Sequence, residues 1–272
     1  MKLSFNNRLQ KICNEKNNRL CIGLDIDPDH LPKERGNSLE AMETFAKDVI
    51  DGTIDFCPVY KPNFAFYERF GSKGYSLLER IVDYISGRAL VIADAKRGDI
   101  GNTSTQYARA ILKTMGCDAI TISPYMGRDA IEPFLDAMDK GVFVLSMTSN
   151  PSAAEIQNNQ KDSIPLYERV IQIACELNHN DNIGLVVGAT QSDVMEKIRA
   201  MSPGLSWLVP GVGSQGGDLQ KSVSISNHNG VGIINISRGI LYAGNGSMDD
   251  IITSARQYTE QIQEIVCNPM TC

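Results

Sequence analysis

The sequence predicts an α/β protein, a single (β/α)8 TIM barrel covering residues 1–272. Three observations carry this: eight short apolar runs, amphipathic segments between them, and charged residues where the first three runs end. The runs cover 20–25, 57–61, 89–95, 119–123, 142–147, 184–187, 207–210 and 232–236. Near-continuous apolarity marks parallel strands buried on both faces. The chain has 272 residues, and a barrel of this kind needs about 250. An open doubly wound sheet is the alternative that the same alternation allows.

Helical patterns fill the gaps. One opens at Ser38, an N-cap with Ala41 in place of the acid of a capping box. Others span 103–115, 128–139, 165–177, 191–201 and 248–266. In 128–139 the residues Ile131, Phe134, Leu135 and Met138 recur at helical spacing. Residues 150–163 read as one long polar loop, the form of a lid or a disordered connection. The tail 267–272 reads as frayed. No linker or internal repeat divides the chain.

Composition excludes several classes of function. The net charge of -6 argues against a nucleic-acid surface, which needs a basic patch. No stretch approaches the roughly 20 apolar residues of a membrane span. The first eleven residues are polar and lack a signal-peptide core. The seven cysteines are scattered, with no CxxC pair, as expected for free thiols in a reducing cytoplasm. Three histidines without a motif argue against a zinc site or a Cys–His nucleophile. We expect no metal and no cofactor.

In a barrel the active site lies at the C-terminal ends of the strands. The first run ends in Gly23-Leu24-Asp25, the second in Tyr60-Lys61-Pro62-Asn63, and the third in Asp94-Ala95-Lys96-Arg97-Gly98-Asp99. Residues two apart on a strand share a face, so Asp94 and Lys96 should both point into the barrel mouth. Lys61 on the neighbouring strand could meet them. Asp99 lies on the following turn, where spacing does not fix its direction. A structural salt-bridge network is one reading. Charges emerging from a buried strand are costly unless paired, and this favours a functional site. Flanking carboxylates favour the ammonium form of a lysine, so Lys96 could act as a general acid.

The seventh run leads into Pro210-Gly211-Val212-Gly213-Ser214-Gln215-Gly216-Gly217. This matches G-x-G-x-x-G, but a dinucleotide fingerprint belongs after the first strand of its unit. A phosphate cradle fits better, because glycines let backbone N–H groups approach an anion. Barrels often bind phosphate after strands 7 and 8. The eighth run ends in Ser237-Arg238-Gly239, where Arg238 offers a planar fork for phosphate oxygens.

Asp94-x-Lys96-x-x-Asp99-Ile-Gly-Asn-Thr103 resembles the signature of the orotidine 5'-phosphate decarboxylase family, and its Ala-Lys-Arg-Gly-Asp form is similar to the second bacterial subgroup. The resemblance runs from Asp25 to Arg238. It implies that Lys96 protonates C6 after carbon dioxide leaves, that Asp94 lies beside the substrate carboxylate, and that Lys61 completes the charge network. It also implies that Asp25 binds a ribose hydroxyl and Ser149 reads the pyrimidine, although Thr148 carries the same kind of hydroxyl next door. Pro210, Gln215, Gly217, Arg238 and Gly239 would bind the phosphate end. Asp99 and Thr103 would cross to the partner's site in a cytoplasmic homodimer.

Three rivals remain. A magnesium-dependent sugar-phosphate decarboxylase related to this family shares the Asp-x-Lys-x-x-Asp core but places an acidic ligand where this chain has Lys61, and an ammonium is no ligand for a hard cation. A Schiff-base aldolase needs a neutral lysine, which the flanking acids oppose. A non-catalytic nucleotide sensor would bind without turnover.

Overall fold

The computed structural model describes residues 2–161, 163–190, 192–213 and 216–268. The eight predicted runs become the strands of one closed parallel barrel. They are β1 (Leu20–Gly23), β2 (Val59–Lys61), β3 (Leu90–Arg97), β4 (Ala119–Ile122) and β5 (Gly141–Met147), followed, after a small hairpin of β6 (Gln160–Lys161) and β7 (Ile164–Pro165), by β8 (Ile183–Val187), β9 (Ser206–Pro210) and β10 (Gly232–Ile236). The barrel order is β1-β10-β9-β8-β5-β4-β3-β2. Pairing of β1 with β10, Leu20 opposite Ile234, closes it and rules out the open doubly wound sheet.

The long helices fall close to expectation. The helix α2 (Leu39–Thr53) starts at Ser38, whose hydroxyl accepts from the Ala41 N–H. Among the helical segments that lie outside the predicted ones, three matter most to the fold. One is α1 (Phe5–Glu15), whose buried Phe5, Leu9 and Cys13 lie at i, i+4 and i+8 in an otherwise polar stretch. The second comprises α3 (Ala65–Glu68) and α4 (Gly71–Ile85). Glycines at the start of α4 mask its pattern, yet a Cβ on Gly74 would lie 1.9 Å from the Tyr67 carbonyl oxygen. The third, α10 (Leu219–Ser226), is capped by Asp218.

Further along the chain come α5 (Gly101–Ala108), which passes into a π-helix at Arg109–Thr114, and α6 (Arg128–Ile131), continued by a 3-10 turn at Glu132–Phe134. The helix predicted over 128–139 stops there because Pro133 supplies no N–H to continue the ladder. The predicted loop 150–163 instead contains α7 (Ala153–Gln157) and the first strand of the hairpin. The remaining helices are α8 (Leu166–Leu177), α9 (Ser192–Met201), α11 (Arg238–Leu241) and α12 (Met248–Cys267). The tail expected to fray from 267 is helical at Cys267, and 269–272 lie outside the described residues. No helix among the described residues is long and apolar enough to cross a membrane. Cys13, Cys21, Cys57 and Cys117 are buried free thiols.

The helix α1 closes the floor of the barrel. Phe5 meets Phe143 of β5 edge-on, with centroids 5.8 Å apart. A Cβ on Gly141 would sit 2.3 Å from the Phe5 ring, so β5 must begin with glycine. Ser4 Oγ donates to Asp181 Oδ2 at 2.6 Å, and Asn6 Nδ2 donates to the Ile183 carbonyl at 3.1 Å. Phe5 is 1% exposed, and truncating a buried Phe costs about 3–5 kcal/mol. Phe5→Ala should therefore lose about that much stability in urea denaturation. A loss under about 1 kcal/mol would show that α1 is not part of the cooperative core.

Candidate active site

The strands of the barrel converge at its mouth on one cleft of about 620 Å³. It is lined by Asp25, Lys61, Asn63, Asp94, Lys96 and Thr121 on one side, and by Ser149, Pro210, Gly211 and Arg238 on the other. Leu145, Val186 and Leu208 form part of its apolar lining.

Lys61 is the last residue of β2, and its side chain is 3% exposed. A buried ammonium needs partners. Lys61 Nζ donates to Asp94 Oδ2 at 2.9 Å and lies 3.8 Å from Asp25 Oδ1. Burial alone would lower the lysine value, but Asp94 and then Asp25 overcome it and raise Lys61 above its usual range. Asp94 is the mirror case. Burial pushes its carboxyl up, and the charges of Lys61 and Lys96 together pull it well below the ordinary carboxylate range.

Lys96 completes the array. Its Nζ donates to Asp94 Oδ1 at 2.6 Å, with the side chain about half exposed to the cleft. The expected shared face of Asp94 and Lys96 is therefore realised, though through an irregular strand. Lys96 has φ +46, the left-handed region. The register of β3 against β4 shifts between Ala93 and Arg97. Arg97 points the other way and pins the bulge from outside, with its guanidinium bonded to Glu68 and lying over the Phe64 and Tyr107 rings.

Asp25 lies just past β1. Its segment is held by Tyr67 Oη on the Leu24 carbonyl at 2.8 Å and by Tyr242 Oη, which accepts from the Asp27 N–H at 2.9 Å. Among the described residues, Asp25 Oδ1 is buried without a hydrogen-bond partner.

Asp99 does not join this array within the chain. Its Oδ1 accepts the Ile100 N–H at 2.7 Å, beyond the cleft lining, and Thr103 lies exposed on α5. Around them Ile100 is 60% exposed, Tyr125 82% and Met126 48%.

Across the cleft, Gly211, Gly213 and Gly216 all have positive φ, at +100, +77 and +80. The turn closes with the Gly217 N–H on the Gly211 carbonyl at 3.0 Å. A Cβ on Gly217 would lie 2.5 Å from Ala189 Cβ. A side chain is thus excluded at Gly217, and Gly211 and Val212 bring the start of the turn to the cleft. Gln215 lies outside the described residues. Arg238 opens α11 and lines the cleft, whereas Gly217 and Gly239 sit behind the lining.

Thr148 Oγ1 accepts from Gln157 Nε2 at 2.7 Å and donates to Asn150 Oδ1 at 2.7 Å, while its N–H donates to Gln157 Oε1 at 2.8 Å. Among the described residues, Ser149 Oγ makes one long contact, 3.4 Å, to the Pro210 carbonyl. Room for it comes from Gly188, where a Cβ would stand 2.6 Å from that hydroxyl. Sequence reasoning missed Thr121 and Asn63, because an uncharged polar residue in or just past an apolar run carries no motif of its own, and Gln157, which lies in the stretch read as a polar loop.

Fold and site together define a (β/α)8-barrel enzyme with an acid–base array facing an anion-type glycine turn. The chain belongs to the orotidine 5'-phosphate decarboxylase / HUMPS family, whose model matches residues 18–248. It is 42% identical to an orotidine 5'-phosphate decarboxylase of Dehalococcoides mccartyi, covering 97% of each chain. It is 45% identical to that of Natronomonas pharaonis, over 91% of this chain and 92% of the relative. Its fold superposes on the OMP decarboxylase of Leishmania donovani with a TM-score of 0.84, at 35% identity over 97% of this chain and 98% of the other.

The array has a signed pH signature. Asp94 is lowered from 3.8, so its stabilisation is complete above that value and is lost as pH falls through the lower folded value. Lys61 is raised from 10.5, so its share is complete below that value and is lost as pH rises through the higher folded one. The stability difference between wild type and Asp94→Asn should stay flat from about pH 5 to 9. A difference in urea midpoints that drifts steadily across that window would show that other groups dominate.

Proposed function

We propose that the chain decarboxylates orotidine 5'-phosphate to uridine 5'-phosphate and carbon dioxide, the last step of de novo pyrimidine nucleotide synthesis, without a cofactor. The enzyme is a carboxy-lyase, and the chain 1–272 works as one barrel domain in the cytoplasm. The observation that carries the mechanism is the Lys96 ammonium held 2.6 Å from Asp94 at the cleft wall.

In this reading the substrate lies across the cleft. Its phosphate meets the Gly211–Gly217 turn, Gln215 and Arg238, with Pro210 and Gly239 shaping that end. Backbone N–H groups and a guanidinium suit a dianion. Asp25 Oδ1, which has no hydrogen-bond partner among the described residues, supplies an acceptor for a ribose hydroxyl, with Lys61 Nζ 3.8 Å away. Ser149 reads the pyrimidine, because the Thr148 hydroxyl is already engaged on both sides. The substrate carboxylate then sits near Asp94 and Lys96. Loss of carbon dioxide leaves an electron pair at C6. Lys96 Nζ delivers a proton to it, and the resulting amine is recharged from solvent. A fixed ammonium in a drying cleft stabilises the developing carbanion without reorganisation.

Asp99 and Thr103 enter the neighbouring protomer's site in a homodimer. The exposed Ile100, Tyr125 and Met126 on the same end of the barrel supply apolar surface for such an interface.

The primary test follows loss of orotidine 5'-phosphate by ultraviolet absorbance in EDTA. Wild type should convert it, and Lys96→Ala should lose about 10⁴-fold or more in kcat, the upper range of general acid catalysis. A folded wild type that converts nothing would remove the reaction. Full activity in Lys96→Ala would remove the proton donor. The dimer has its own test. Mixing inactive Lys96→Ala and Asp99→Ala subunits should restore about a quarter of wild-type activity, since half of random dimers carry one intact site. No recovery after verified subunit exchange would place Asp99 in its own protomer's site or outside catalysis.

A further inference from the structure

We propose that Thr121 is a positioning residue for the decarboxylation, its single hydroxyl fixing both Asp94 and the backbone of Lys96 across the β3–β4 seam. The proposal rests on the decarboxylase reading above.

The geometry begins with a mismatch between strands. Ala93 pairs with Ile120 and Arg97 with Ile122. Four residues of advance along β3 therefore face two along β4. The surplus, Asp94 to Lys96, must bulge. A bulge takes backbone N–H groups off the ladder, and a buried N–H needs an acceptor. Thr121, the β4 residue between the two paired positions, supplies one. The Lys96 N–H donates to Thr121 Oγ1 at 3.0 Å. The same hydroxyl donates its proton to Asp94 Oδ1 at 3.0 Å. Accepting one bond and donating the other uses the hydroxyl in both of its capacities. Thr121 is 1% exposed, so water cannot readily replace it.

Two consequences follow for the reacting end. Lys96 sits at φ +46, a conformation that L residues rarely adopt and that persists only where surroundings hold it. The bond to Thr121 is one such hold, and it sets the origin from which the Lys96 side chain reaches the cleft. Asp94 Oδ1 takes bonds from both Lys96 Nζ and Thr121 Oγ1, while Oδ2 takes Lys61. The carboxylate plane is thereby fixed by three donors from three different strands. Valine has the shape of threonine without the hydroxyl. It would leave the Lys96 N–H unpaired and Asp94 free to turn.

The test compares Thr121→Val and Thr121→Ser with wild type, using steady-state turnover of orotidine 5'-phosphate, thermal unfolding, and exchange of the Lys96 amide by NMR. Thr121→Val should lower kcat roughly 10- to 100-fold with KM within about threefold, the split expected when transition-state positioning is lost and ground-state binding is kept. Thr121→Ser should recover to within about threefold of wild type. Lys96 amide exchange should speed up at least tenfold in Val and not in Ser. If Thr121→Val unfolds early, Thr121→Ala against Thr121→Ser makes the same comparison. A Val or Ala variant within about twofold of wild type would overturn the proposal. So would impairment of Ser as large as that of Val, because a hydroxyl at this position would then not be enough to hold Asp94 and Lys96. Absence of turnover in wild type would count against the reaction instead, and the Lys96 amide alone would then read the anchor.

Discussion

A positive charge with almost no access to water sits at the end of β2, and much of the site is arranged around it. Lys61 is 3% exposed, so its ammonium must be neutralised by the protein itself. Asp94 does this directly and Asp25 at longer range. Once Asp94 is fixed by Lys61, its second oxygen has one direction left to face, and Lys96 is drawn to it. The half-exposed lysine is therefore oriented by the buried one. The bulge in β3 belongs to the same constraint, because a regular strand would advance Lys96 along the barrel wall rather than hold it over Asp94.

The cleft divides the work between two halves of the barrel. Strands β1 to β3 bring charge and β4 the Thr121 hydroxyl, while β9 and β10 bring a glycine turn and an arginine. Interactions with the phosphate end, remote from C6, are strongest as a source of catalysis when they help hold the reacting end in place. The segment after β5 joins the halves. Gln157 on α7 clasps Thr148 at both its N–H and its hydroxyl, and Ser149 reaches the Pro210 carbonyl at the end of β9.

Barrel topology was legible because eight buried parallel strands leave eight apolar runs, and nothing in their surroundings disturbs that pattern. The array of Lys61, Asp94 and Lys96 was legible for the opposite reason, since charge at the end of a buried run stands out. The helix α1 escaped because its apolar residues are few and widely spaced among Asn, Arg and Lys. The start of α4 escaped because Gly71 and Gly74 look like a turn, when Gly74 is there to let the Tyr67 carbonyl approach. Helix 128–139 was overextended because periodicity continued past Pro133. Thr121 could not be found from sequence. Its role comes from a register shift, and register is a property of two strands rather than one. The direction of Asp99 was left open by its place on a turn, and within the chain it lies apart from the array.

The plug formed by α1 also shapes how the chain reaches this structure. Its anchors, Asp181 and Ile183, lie about 175 residues downstream of Ser4 and Asn6. Contacts so distant in sequence carry a large loop-closure cost and form late. During synthesis the apolar face of α1 emerges before β5 and β8 and waits for them to be made. Until then Phe5 and Leu9 have nowhere to bury, and the half-built barrel has an open base. Closing the base thus couples α1 to strands made well over a hundred residues later, roughly 125 or more, making assembly of this end of the barrel close to all-or-none.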